Sequence, residues 1–253
     1  MSTTLVIAHP GHELRVYGWL ERERPEVLVL TDGSGHEGTS RLASTAALLE
    51  RAGARPGPVF GRFSDRELYR VLLEGDLAKI EPVVHELATA LAARDVTQVA
   101  CDAIEGYNPS HDLCRVLTDA AVAIAGRRTG RTIRVFDFLL EAPPDSGIAS
   151  PSSIRLELLD GALVRKLEAA RSYPEMAFEV ERHLEQHGTA AFSVECLRPA
   201  DPDFDLEALF PDRPFYEVYG ERQVAAGHYR SILRFREHFL PIARAVRELG
   251  RTA

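Results

Sequence analysis

Short apolar runs alternate with amphipathic stretches through the first part of the chain. Leu5-Val-Ile-Ala8 stops at His-Pro-Gly, and Glu26-Val-Leu-Val-Leu-Thr31 stops at Asp32-Gly33-Ser34-Gly35. Val96 to Ala103 runs into the polar stretch Ile104 to His111, and Ile133 to Leu140 is a fourth run of the same kind. β-rich runs bounded by turn residues predict strands, and Val59-Phe60 is a weaker one. Helical periodicity fills the gaps, over Thr39 to Ala52, Asp65 to Leu73, Ile80 to Ala93 and Leu113 to Ala125. In the first of these Leu42, Ala46 and Leu49 share a face, with Thr39 as the expected N-cap and Gly53 as the stop. Alternating strands and helices predict an α/β fold, a Rossmann-like and mainly parallel sheet with helices on both faces. Such sheets hold ligands beyond the C-terminal ends of their strands.

The second half is less regular. Glu141 to Ser153, rich in Pro, Ser and Gly, reads as a long surface loop. A short strand is expected at Arg155 to Leu159, a helix from about Ala162, and a helix over His228 to Leu249 broken at Pro241. These later elements are expected to cover one edge of the sheet, so residues 1–253 read as one domain.

Composition narrows the partners. The chain is 45% hydrophobic and 27% charged, ordinary globular values, and its net charge of −8 argues against a general nucleic-acid binder. Cys101, Cys114 and Cys196 lie far apart with no CxxC pair, which points to packing residues in a reducing cytoplasm and not to a disulfide framework. The N-terminus has no basic leader region, and no apolar run reaches the roughly 18 residues that span a bilayer. The stretch Gly33-Ser-Gly-His-Glu-Gly38, which carries His36, lacks P-loop spacing, and Ser34 and Ser110 lack a nucleophile-elbow context.

Two segments carry candidate chemistry. Ala8-His9-Pro10-Gly11-His12-Glu13 and Asn108-Pro109-Ser110-His111-Asp112 both follow expected strand ends, so a parallel sheet brings them to one rim. His9 and His12 sit close enough in a tight turn to share an ion, and His111 supplies a third imidazole. Three neutral nitrogens with an open fourth position suit a catalytic zinc, or another divalent transition metal.

These residues resemble the LmbE-like, or PIG-L, deacetylase family. That family carries Ala-His-Pro-Asp-Asp-Glu after a strand, a Thr-x-Gly loop, an Arg-x-x-Glu helix and a His-Pro-Asp-His loop. Here the matching stretches are Ala8-His-Pro-Gly-His-Glu13, Thr31-Asp-Gly33, Arg41-Leu-Ala-Ser44 and Asn108-Pro-Ser-His111, with a later Lys166-x-x-Ala169-x-x-x-Tyr173. The resemblance implies zinc ligands at His9, His12 and His111, the middle one changed from carboxylate to imidazole. It also puts Gly11 where the family has its general base and Asn108 where it has a second histidine.

The implied activity is zinc-dependent hydrolysis of an N-acyl amino sugar or a similar small amide. Exchanging an anionic ligand for imidazole raises the charge of the metal centre, so its water ionises near pH ~7 without a strong base. Asn108 is expected to donate to an oxyanion and Glu105, then Asp32, to carry protons. Arg41 is expected to hold a hydroxyl, carboxylate or phosphate of the substrate. Asp112 and Glu13 stand where a carboxylate would orient an imidazole, and Gly11 is expected to leave space beside the metal. The changes at Gly11 and Asn108 keep two alternatives open: a non-catalytic metal- or sugar-binding protein, and a hydrolase of a different C–N bond.

Overall fold

The structure is a computed structural model that describes residues 2–35, 38–146 and 150–253. His36 and part of the expected 141–153 loop fall outside these residues. Its centre is a seven-stranded sheet made of β1 (Ser2–Ile7), β2 (Glu26–Thr31), β3 (Arg55–Phe63), β4 (Val96–Asp102), β5 (Arg134–Phe138), β6 (Ile154–Glu157) and β7 (Val194–Pro199), in the order β3-β2-β1-β4-β5-β7-β6. The first five strands are parallel, and β7 and β6 add an antiparallel edge. The other edge is β3, where Pro56 and Pro58 lack the N–H groups that would recruit a further strand.

Alternation of side chains along the central strands builds a core on each face. Val6, Ala8, Leu28 and Leu30 face one way, onto α3 (Asp65–Glu74), α4 (Leu77–Ala93), α5 (Pro109–Thr129) and α9 (Leu240–Thr252). Leu5, Ile7, Val27 and Val29 face the other way, onto α1 (Tyr17–Glu23), α2 (Leu42–Ala52), α6 (Asp160–Arg171) and α7 (Ala177–His187). α8 (Phe215–Ala225) adds Tyr216 to the first core. A strand covered on both faces must be apolar throughout, which is why β1 and β2 read as unbroken hydrophobic runs.

Four expectations need correction. α2 begins at Leu42, not Thr39, because the chain first turns back to pair the Arg41 N–H with the Asp32 carbonyl. α5 begins at Pro109, so His111 lies in a first helical turn and not in a loop. The helix expected over His228 to Leu249 starts only at Phe235, where a π-helical turn, Phe235–Phe239, runs into α9 at Leu240, so Pro241 falls where the helix changes pitch. β7, α7 and α8 lie outside the expected elements, since 172–227 carries no regular apolar period that marks them.

The added edge joins the parallel sheet through the β5–β7 ladder, and a buried ion pair ties it to the helices on one face. Lys166 Nζ on α6 donates to Glu195 Oε1 on β7 at 2.8 Å, and the Glu195 carboxylate also accepts the N–H groups of Gly18 and Trp19. Both partners are buried, so removing one strands a charge. Lys166→Met is expected to cost about 3–5 kcal/mol of stability, read as a lower urea midpoint with an unchanged slope.

Candidate functional site

The three histidines converge where the strand order reverses. β1 and β4 are neighbours whose connections leave in opposite directions, and the crevice between their C-terminal ends is the usual ligand position in such sheets. His9 and His12 leave β1 through a tight turn. Gly11, at φ 105°, allows it, the Leu14 N–H donating to the Gly11 carbonyl at 3.2 Å. His111 enters from the start of α5, where the Asn108 side chain caps the helix by accepting the Ser110 N–H at 2.9 Å. The ring centroids stand 5.3 Å (His9–His12), 5.1 Å (His9–His111) and 4.5 Å (His12–His111) apart, all edge to face.

Carboxylates outside the cluster fix two of the rings. His9 Nδ1 lies 2.7 Å from Thr31 Oγ1 and 2.9 Å from Asp65 Oδ1, and His12 Nδ1 lies 2.9 Å from Asp102 Oδ2. Asp65 is held in turn by the Gly35 N–H and Asp102 by the Ala8 N–H. With Nδ1 engaged outward, each ring presents Nε2 inward, and His9 Nε2 is buried without a partner. Burial, reinforced by the neighbouring imidazoles, holds His12 and His111 well below the ordinary histidine range, so both stay neutral at neutral pH. Burial opposes ionisation of Asp65, but its hydrogen bond to His9 prevails and draws its pKa down. Burial pushes Asp102 up to about 8 and Glu13 up to about 7. Among the described residues, no set of three His, Cys, Asp or Glu side chains has its donors drawn onto one ion-sized point. The imidazoles touch without forming a closed cage.

The other expected residues stand around this cluster in varied roles. Glu105 spends its carboxylate on the N–H groups of Leu140, Glu141 and Ala142, at 2.7 to 3.2 Å. Asp112 accepts the N–H groups of Glu105 and Gly106, and Glu13 accepts the Gly11 N–H and the Thr45 hydroxyl, so neither touches an imidazole. Asp32 is a turn residue that accepts the Ser34 N–H. Arg41 precedes α2, near enough for its charge to disfavour protonation of His12. Ser44, where the resemblance would place a glutamate, donates to both oxygens of Glu175 at 3.0 and 2.8 Å, so a carboxylate reaches that spot from elsewhere in the chain. Asp65 and Asp102 were missed. Asp102 carried a signal, being the one acid that ends an apolar central strand at the ligand-bearing rim.

Gly11 does not open a space. A Cβ there would lie 2.3 Å from Met176 Sδ, so the thioether fills the volume that a side chain at this position would need.

No family profile and no curated protein matches this chain. Its fold does match solved structures. The conserved protein TT1542 from Thermus thermophilus shares 21% identity over 81% of this chain and 97% of its own, with a TM-score of 0.54. A deacetylase of the teicoplanin biosynthesis pathway shares 16% over 79% and 99%, and the zinc-inhibited form of teicoplanin deacetylase Orf2 shares 15% over 79% and 99%, each at a TM-score of 0.51. The chain therefore shares the mainly parallel α/β fold of these structures, as the strand and helix alternation predicted.

Gly11→Asp is expected to destabilise the protein by about 1–3 kcal/mol, mostly from the strain of a positive φ, with a smaller share from moving the flexible Met176 thioether aside. Adding Met176→Ala should recover the packing share, seen as a coupling energy in a double-mutant cycle of thermal melts.

Proposed function

We propose that this chain is a metal-dependent hydrolase that removes the acyl group of an N-acyl amino sugar or a similar small amide. The observation that carries the reading is the cluster of three imidazoles with a buried, unpartnered His9 Nε2 at the sheet's switch point. His12 and His111 resist protonation, since an added charge is buried beside the other rings, and imidazole lone pairs suit a borderline-soft cation. His9, His12 and His111 would hold a divalent ion such as zinc. When bound, that ion supplies a Lewis acid and lowers the pKa of water.

The chain's own groups do the rest. Thr31, Asp65 and Asp102 fix the tautomers of His9 and His12. A cation on these rings favours the ionised forms of Asp102 and Glu13, opposing their burial. The Asn108 side-chain oxygen is spent on the helix cap, so its amide N–H groups are what remains for a carbonyl oxygen. Arg41 binds a polar group of the substrate. Glu105 serves by holding residues 140–142 as a wall beside the site; proton transfer is left to water and the metal centre.

A second reading, a binding protein without catalysis, draws support from Met176, which occupies the place of a general base at Gly11. The two separate in one experiment. Purified protein is expected to take up one equivalent of zinc and to release acetate from N-acetylglucosamine or a related amide. His111→Ala should abolish both. Asp102→Asn should weaken metal affinity by roughly 10–100-fold while leaving the fold intact. Zinc uptake with no cleavage across a panel of N-acyl sugars favours the binding protein, and no uptake refutes the hydrolase and a metal-binding role alike.

A further inference from the structure

β6 ends one side of the sheet, and among the described residues it pairs with β7 alone, which leaves its outer edge open. The far edge is guarded by Pro56 and Pro58 in β3, whereas Ile154–Glu157 contains no proline. The phase of the ladder decides what the open edge presents. The Leu158 N–H donates to the Ser193 carbonyl at 2.7 Å, one step beyond the pairing of Glu157 with Val194. Backbone groups alternate in direction along a strand, so those of Ile154 and Leu156 face β7 and those of Arg155 and Glu157 face outward. Side chains alternate as well: Ile154 and Leu156 pack against the core shared with α6, while Arg155 and Glu157 stand exposed on the other face, Arg155 Nη1 3.6 Å from Glu157 Oε2.

We infer that a second copy of this chain docks on this edge, β6 against β6, antiparallel about a twofold axis at Leu156. In such a pairing outward-facing residues oppose one another, so the symmetric registers are few. Centring on Arg155 sets arginine against arginine, and centring on Glu157 sets glutamate against glutamate. Like charges directly opposite are unfavourable. Centring on Leu156 instead puts Arg155 opposite the partner's Glu157 and Glu157 opposite the partner's Arg155, each pair exchanging both backbone hydrogen bonds. Charged residues usually blunt a sheet edge. Here their opposite signs match under the twofold and select one register.

The same register continues the apolar layer. Leu156 meets the partner's Leu156 in a non-hydrogen-bonded position, where Cα atoms approach to about 4.5 Å, and this joins the cores of the two copies. Leu159, 65% exposed just past the strand, comes to lie opposite the partner's Ser153. The contact between Arg155 and Glu157 within one chain is solvent-exposed at both ends, so exchanging it for pairs across the twofold costs little.

The test is the oligomeric state of the full chain by sedimentation velocity, from micromolar protein to the highest soluble concentration. A concentration-dependent dimer is expected. Glu157→Arg sets arginine against arginine and Arg155→Glu sets glutamate against glutamate, and each should raise the dissociation constant about 10-fold or more. The double reversal, Arg155→Glu with Glu157→Arg, restores opposite charges across the twofold and should return the dissociation constant close to that of the wild type. Both positions are exposed, so the variants should keep the wild-type circular dichroism spectrum and melting temperature. A wild type that stays monomeric throughout overturns the inference. So does a dimer indifferent to the single reversals, or a double reversal that fails to recover it.

Discussion

The arrangement turns on keeping His12 and His111 uncharged beside a third imidazole, His9. Desolvation and mutual repulsion both oppose protonation, and they act on His12 and His111 together. The partners outside the cluster are acids. Asp65 and Asp102 bind the outer nitrogens of His9 and His12 and are in turn held by backbone N–H groups from the loop after β2 and the end of β1. The backbone fixes the acids, the acids fix the rings, and the inward nitrogens are left facing each other.

The same logic explains what surrounds the cluster. Several residues that look reactive in the sequence are occupied in holding loops. Glu105 binds three consecutive N–H groups at residues 140–142, Asp112 binds two at residues 105–106, and Asn108 caps α5. Each satisfies backbone donors that would otherwise be buried without partners at the crowded rim of the sheet. Met176 at Gly11 belongs to the same pattern, a side chain from a distant segment filling a place that local residues leave open. Glu175 reaching Ser44 is its polar counterpart.

Much of the fold was legible because it depends on short-range signals. The apolar runs at β1, β2 and β4 and the glycine stop after α2 are properties of a few consecutive residues, and they formed within a few positions of where they were expected. The meeting of His9, His12 and His111 followed from topology, since consecutive parallel strands put their C-terminal ends on one rim. What stayed hidden depends on contacts between distant positions. Nothing near Asp65 indicates that it faces His9, 56 residues away. β7 becomes a strand only because β5 and β6 flank it. The start of α5 was missed because Pro109 looked like a loop residue, although proline is favoured in the first turn of a helix.

The contacts of His9 and His12 Nδ1 with the carboxylates leave Nε2 free to bind an ion when Nδ1 is the donor. Nitrogen-15 spectra of the histidine rings report it directly. Protonation on Nδ1 is expected for both, with His12 and His111 still neutral at pH ~6, and the ring-nitrogen signals of all three histidines should shift on adding one equivalent of zinc. Imidazolium signals from His12 or His111 at neutral pH, or Nε2 resonances indifferent to the metal, would contradict it.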